Sequence, residues 1–189
     1  MFLEHKYTIA ELIKRCLSGE RKAQELLYKQ FASKMFGVCL RYATDRMEAE
    51  DMLQNGFIKV FQKLHDFRGD GSFEGWVRRI MVHSSIEYYR KHHKTMQLVD
   101  IDDAANESSV SPIASANLEA KDLMAIIQQL SPGYRIVFNL YAIEGYSHRE
   151  IAEIVGITEG ASKSQLSRAR TVLKEQLTKM EGKRYENAG

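Results

Sequence analysis

Ser147-His148-Arg149-Glu150-Ile151-Ala152-Glu153-Ile154-Val155-Gly156-Ile157-Thr158-Glu159 reads as a complete short helix, a tight turn and the first step of a longer helix. Ser147 and Glu150 have capping-box spacing, in which hydroxyl and carboxylate satisfy each other's free backbone donors. Ile151, Ala152 and Val155 make the apolar face. Gly156-Ile157 forms the turn, and Thr158 caps a helix that runs from Glu159 to about Leu177. Short helix, glycine turn and longer capped helix together spell helix-turn-helix. At ~100° per residue, Ser162, Leu166, Ala169, Leu173 and Leu177 share the inward stripe. Ser164, Ser167, Arg168 and Thr171 point away from it, with Lys163, Arg170 and Lys174 on one flank. Short hydroxyls and cations at the front of a helix suit base edges and phosphates. A helical hairpin with a solvated basic face satisfies the same pattern, but the caps, turn length and outward cations together favour DNA.

Upstream of this motif, Leu123, Ile126, Ile127 and Leu130 form one face of a helix that begins near Leu118. Ser131-Pro132 then opens another, with proline at its first position, carrying Val137, Phe138 and Tyr141 and ending at Gly145. Before Leu118 the pattern breaks. Asp100-Ile101-Asp102-Asp103-Ala104-Ala105-Asn106-Glu107-Ser108-Ser109-Val110-Ser111-Pro112 is acidic, small and polar without a sustained period, which is the composition of a linker. Asp100, Asp102 and Asp103 lack the glycine turn and distal glutamate of a calcium loop, so no metal is expected.

The N-terminal block reads as four helices. Thr8 caps the first, with Ile9, Leu12, Ile13 and Cys16 inward and a stop at Ser18-Gly19. The second carries Ala23, Leu27, Phe31, Met35, Val38 and Tyr42 at helical spacing. Thr44-Asp45 caps the third, whose Leu53, Phe57, Val60, Phe61 and Leu64 stripe leaves Asp51, Gln54 and Gln62 on the other face. A Gly-rich loop, Asp66–Gly71, precedes Ser72, the cap of a fourth helix running towards Lys94. On it Phe73, Trp76, Val77, Ile80 and Ser84 face inward and Arg78, Ser85 and Tyr89 face the opposite way. Arg79, His83 and Arg90 flank them; Lys91, His92, His93 and Lys94 follow. Cations interleaved with aromatics hold phosphates while flat rings receive unstacked bases.

The whole chain has 189 residues, 44% hydrophobic and 28% charged, an ordinary globular composition that argues against wholesale disorder. The net charge of +2 is unevenly spread. Residues 1–95 carry 17 basic and 12 acidic side chains, 96–122 carry 1 and 6, and 123–189 carry 9 and 7. Two basic blocks therefore flank an acidic middle, a pattern that points weakly to nucleic acid. Cys16 and Cys39 have neither metal nor redox spacing and read as reduced, half-buried thiols. No apolar run reaches the ~20 residues of a membrane span, and the N-terminus lacks a secretory pattern, so a cytoplasmic protein is expected. The expected fold is all-α: a four-helix domain at 1–95, a flexible acidic linker at 96–117 and a helix-turn-helix domain at 118–189.

Four stretches in order resemble the sigma-70 family of RNA polymerase sigma factors, in its small extracytoplasmic-function (ECF) group. Ala49–Phe57 is similar to the family's polymerase-clamp helix, and Phe67–Trp76 to its melting loop. Tyr88-Tyr89-Arg90-Lys91 resembles the end of the minus-ten reader. Gly145–Gly156 with Ser162–Arg170 resembles the minus-35 reader. The resemblance implies a subunit that binds core RNA polymerase, at the clamp of the largest subunit and the flap of the second, and directs promoter-specific initiation. It implies that Glu50, Asp51 and Gln54 contact the clamp. It assigns Phe67, Arg68, Ser72, Arg78, Arg79, His83, Tyr89, Arg90 and Lys91 to minus-ten recognition and melting, where a flipped base is caught by stacking and pocket contacts. It assigns Lys163, Ser164, Ser167, Arg168 and Arg170 to the minus-35 element. It also implies a cognate, membrane-anchored anti-sigma factor, and action by binding rather than catalysis, with no cofactor.

Three positions depart from the family's pattern. Asn55-Gly56 stands where an acid and an apolar residue are common, at a helix cost of ~1 kcal/mol. His83 replaces a common asparagine, and Gln165 a frequent arginine or lysine. A competing reading is a stand-alone helix-turn-helix regulator with an N-terminal helical sensing or dimerisation domain, which would need no outward acidic patch at Glu50/Asp51. An enzyme acting on nucleic acid is weaker still, because no nucleophile-base pairing has usable spacing.

Overall fold

Several helices begin where short polar side chains satisfy the first free N–H groups, whereas Glu20 and Ser131 precede theirs without a side-chain cap bond. Thr8 Oγ1 accepts from the Glu11 N–H at 3.2 Å while the Glu11 carboxylate accepts from the Thr8 N–H at 2.7 Å, opening α1 (Ile9–Leu17). Helix α2 spans Arg21–Leu40. Asp45 caps α3 (Arg46–Gln62) by accepting from the Glu48 N–H at 2.8 Å. Ser72 Oγ accepts from the Gly75 N–H at 3.1 Å at the start of α4 (Phe73–His92). Further along lie α5 (Leu118–Gln128), α6 (Pro132–Phe138), α7 (His148–Val155) and α8 (Glu159–Glu186). The computed structural model describes residues 7–92 and 118–186, with the backbone alone for 118–122 and 181–186. Among the described residues there is no strand, and no helix is long and apolar enough to cross a membrane. The fold is all-helical, as expected. The expected linker with Asp100, Asp102 and Asp103, and the pair His93-Lys94, lie outside the described residues.

Helices α2, α3 and α4 pack around Leu27, Phe31, Met35, Met52, Phe57, Val60, Val77 and Met81, all buried. Each such side chain contributes ~1.5–3 kcal/mol of apolar burial, which explains why the second-helix stripe proposed from spacing, Ala23 through Tyr42, is buried throughout. Gly56, read from sequence as a helix weakness, has a packing role. A Cβ there would lie 2.2 Å from Met81 Sδ and 3.0 Å from Cε, so its absence lets α4 press directly onto α3. Cys16 and Cys39 are free and fully buried rather than half-buried, and burial pushes the Cys39 thiol up to about 11.

In the C-terminal half, Ile126, Ile127 and Leu130 of the α5 segment meet Ala169 and Leu173 of α8. Ile136, Val137, Leu140, Ile151 and Leu166 belong to the same apolar cluster as the N-terminal helices, so the two modules are in contact. Several expected faces are corrected by the packing. Ser85, placed outward on α4, is fully buried and donates to the Met81 carbonyl at 2.9 Å, because Met81, Val82 and Ile86 are buried beside it. Leu123 and Leu177, placed inward, are exposed. Helix α8 also runs past Leu177.

The expected helix from Pro132 to Gly145 changes geometry at Asn139. Residues Asn139–Ile143 form a π turn, closed by the Glu144 N–H donating to the Asn139 carbonyl at 3.0 Å. Asn139 is fully buried and its Nδ2 donates to the Arg41 carbonyl at 2.7 Å. The wider turn accommodates this long-range bond and re-aims the residues that follow.

Candidate nucleic-acid interface

The helix-turn-helix forms as its caps dictate. Ser147 Oγ accepts from the Glu150 N–H at 3.3 Å, and the Glu150 carboxylate accepts from the Ser147 N–H at 2.8 Å and hydroxyl at 2.7 Å. These bonds, the backbone one foremost, hold the Glu150 carboxyl below the usual carboxylate range. Gly156 ends α7 in the left-handed region, φ +82°, the conformation that favours glycine at a helix C-terminus. Thr158 Oγ1 accepts from the Ala161 N–H at 3.0 Å and starts α8. Ser162 is buried 2.9 Å from His148 Nδ1, pinning α8 against α7, while Leu166, Ala169 and Leu173 seat it in the core.

All five residues assigned to the minus-35 element, Lys163, Ser164, Ser167, Arg168 and Arg170, are exposed along the outer side of α8. The structure divides them. Lys163, Ser167 and Arg170 line an open groove of about 360 Å³ together with Thr171 and Lys174. Ser164 lies at the helix front, its hydroxyl donating to the Ala161 carbonyl at 3.1 Å. Arg168 leans to the far edge, where Nη1 donates to Tyr134 Oη at 3.3 Å. Lys163 pairs with Glu159 at 2.7 Å on the exposed surface, where such a pair contributes little. Tyr141 and His148 also line this groove. Their rings stack at 4.6 Å, and the Arg170 guanidinium lies 5.6 Å from the Tyr141 ring. Periodicity placed Tyr141 inward with Val137; the π turn moves it out of that register. His148 carried only a capping-box signal.

On the N-terminal module, Glu50 and Gln54 border a groove of about 350 Å³ between α2 and α3, with Tyr28, Phe36, Arg46 and Leu53. Glu50 pairs with Arg46 at 2.8 Å. Asp51 is exposed but turns to Tyr88, whose hydroxyl pKa is raised by burial and by the nearby Glu48 and Asp51 carboxylates. Glu50 and Gln54 thus share one surface and Asp51 borders another.

The candidate minus-ten residues are likewise split. Arg68, Ser72, Arg79 and Lys91 are exposed. Phe67 is half-buried, its ring 5.1 Å from Phe73 and 5.5 Å from Trp76, so the loop rests on an aromatic cluster. Arg78 is engaged by the C-terminal module: Nε and Nη2 each donate to the Glu144 carboxylate at 2.8 Å. His83 is half-buried, with Nε2 3.4 Å from Tyr146 Oη. Burial, and then Arg79, holds its pKa below the usual imidazole value. Tyr89 is half-buried, and Arg90 Nη1 lies 3.5 Å from the Ile154 carbonyl. A cavity of about 510 Å³ between the modules is lined by Arg78, Arg79, Glu144, Tyr146 and Glu150.

A capped recognition helix with outward cations, beside a second helical module bearing cations and aromatics, defines a two-module DNA-binding protein. Residues 27–95 match the family model for sigma-70 region 2, and residues 120–173 that for sigma-70 region 4. The RNA polymerase sigma-H factor of Pseudomonas aeruginosa is 26% identical over 174 residues, covering 86% of this chain and 90% of that protein. The ECF RNA polymerase sigma-E factor of Haemophilus influenzae is 27% identical over 187 residues, covering 93% and 98%. A solved structure of the sigma factor RpoE in complex with the anti-sigma factor NepR from Bartonella quintana aligns at 22% identity and TM-score 0.48, covering 82% of this chain and 96% of that one. The chain belongs to the sigma-70 family, as an ECF sigma factor. Membership favours a transcription-initiation factor over the stand-alone regulator.

Proposed function

We propose that this chain docks on core RNA polymerase through Glu50, Asp51 and Gln54 at the clamp of the largest subunit, with its C-terminal module at the flap of the second. In that assembly Lys163, Ser164, Ser167, Arg168 and Arg170 read the minus-35 element. Arg68, Arg78, Arg79, Arg90 and Lys91 hold phosphates of the minus-ten strand, giving steep salt dependence. Phe67, Ser72, His83 and Tyr89 take part in receiving unstacked bases, whose extrusion cost of a few kcal/mol is repaid by stacking and pocket contacts. Opening is driven by binding, with neither hydrolysis nor a bound cofactor.

The domain division is 1–95 for clamp and minus-ten, 96–117 for the linker and 118–189 for minus-35. A linker of ~20 residues stretches to ~65 Å, enough with the modules' own radii for two elements about two helical turns apart. The protein works in the cytoplasm, and a cognate anti-sigma factor restrains it.

The observation that carries this reading is the row of exposed hydroxyls and cations on α8, set on a helix capped by Thr158 and braced by α7. The test is run-off transcription with purified core polymerase on a promoter library, with and without the chain. Promoter-dependent transcripts that require the chain are expected; their absence from every template overturns the proposal.

A further inference from the structure

We propose that the turn Glu144-Gly145-Tyr146 is an intramolecular plug that holds the two modules closed and masks α4 from single-stranded DNA. The inference rests on the reading of α4 as a DNA surface and adds a regulator contained in the chain itself.

Glu144 sits where a phosphate would sit. Arg78 grips its carboxylate with two parallel bonds of 2.8 Å, and Arg41 Nη2 adds a third at 3.3 Å. The Glu144 side chain is only 9% exposed. A guanidinium fork accepts carboxylate and phosphate in the same bidentate geometry, so DNA and Glu144 compete for Arg78. Beside it the Tyr146 ring stands edge-on to His83, centroids 6.3 Å apart, covering the position assigned to the flipped base. The π turn at Asn139–Ile143, anchored by Asn139 on the Arg41 carbonyl, delivers Glu144 to this place.

The seam around the plug has the chemistry of a contact that opens. Gln128 Nε2 donates to the Leu40 carbonyl at 3.2 Å, and Arg135 Nη2 to Thr44 Oγ1 at 3.3 Å. Arg41 Nε, Tyr42 Oη, Arg135 Nε and Asn139 Oδ1 are buried there without a hydrogen-bond partner among the described residues. Burying such groups is costly, and water satisfies them once the modules part. The seam also carries apolar side chains such as Ile136, Val137 and Leu140, but the incompletely paired polar groups among them are features of a contact between domains that separate. The closed population lowers apparent DNA affinity by the fraction of molecules that are open.

The test uses the full chain with Glu144→Lys, which sets like charge against Arg41 and Arg78, and the milder Glu144→Gln, with circular dichroism confirming the fold. Spin labels at Lys29→Cys and Lys179→Cys, both exposed sites, report the distance between modules. Anisotropy of short fluorescein-labelled single-stranded DNA of random sequence reports binding. The expected result is a longer mean distance in both variants and binding about tenfold tighter for Glu144→Lys, the gain available when about one molecule in ten is open, with Glu144→Gln between. An unchanged distance in both variants overturns the plug. A longer distance with measurable but unchanged affinity overturns the masking. A longer distance with no DNA bound by any form overturns the minus-ten reading instead, so the two failures are told apart.

Discussion

Replacing Gly56 by alanine tests whether α3 and α4 owe their close approach to the missing side chain. In an open helix, Gly56→Ala would stabilise by ~1 kcal/mol through propensity alone. Here the new Cβ would lie 2.2 Å from Met81 Sδ, against an ordinary carbon contact of ~3.5–4.0 Å. The sulfur must retreat by more than 1 Å, roughly, inside a core packed at crystal-like density, and Met81 has no exposed route out, being 0% accessible. Overpacking of this kind costs ~1–3 kcal/mol. The net expectation is a destabilisation of about 0–2 kcal/mol, reduced at the low end by methionine's flexibility. In a Met81→Ala background, itself destabilised by ~2–5 kcal/mol, the same methyl enters vacated space. Its burial adds ~0.8 kcal/mol to the propensity gain, so Gly56→Ala there stabilises by about 1–2 kcal/mol. The sign reverses between backgrounds, with a coupling of about 1–4 kcal/mol. Urea unfolding of the four chains, followed by far-UV circular dichroism at matched m values, measures it. Equal stabilisation by Gly56→Ala in both backgrounds refutes the packing argument.

Ser147→Ala removes the hydroxyl half of the capping box, leaving the backbone N–H bond to the Glu150 carboxylate, and lowers stability by ~1 kcal/mol, read as a shifted urea midpoint. Arg168→Ala weakens minus-35 dependence in run-off transcription by about 1–3 kcal/mol, or roughly fivefold and upward, if the side chain reads a base; unchanged dependence removes Arg168 from the interface. Glu50→Arg weakens association with core polymerase about tenfold or more, since like charge at a complementary interface costs several kcal/mol, while binding of duplex minus-35 DNA is unaltered; gel filtration with core polymerase and duplex anisotropy separate the two. Cys39, raised to about 11 from 9.0 by burial, favours the protonated thiol in the folded chain. That stability is fully present below pH ~9 and lost as pH rises through about 11, on the order of 3 kcal/mol. Stability measured across that interval therefore falls more steeply for the native chain than for Cys39→Ala.

Features legible in the sequence were those whose causes lie within one or two helical turns. Thr8, Asp45, Ser72, Ser147 and Thr158 cap the helices assigned to them because each bonds an N–H only three residues away. The stripes on α2 and α8 followed from 3.6-residue spacing, and the outward cations of α8 followed as their complement. Tyr141 and Ser85 were misplaced for opposite reasons. Tyr141 sits in a π turn that no local periodicity announces, and Ser85 is buried because α4 packs against α2, α3 and α7 rather than against a single neighbour.

By itself the sequence determined the helices, their caps, the helix-turn-helix and the order of motifs that marks the family, because these depend on side chains acting on nearby backbone and on patterns read in line. Tertiary structure decided which functional side chains stand open. Arg78 meets Glu144 across 66 residues and Arg41 meets it across 103, and Gly56 is explained by Met81 on another helix. Such pairings arise from the burial of whole faces and from charge pairing between side chains that the packing brings together, and they carry no periodic trace in the chain.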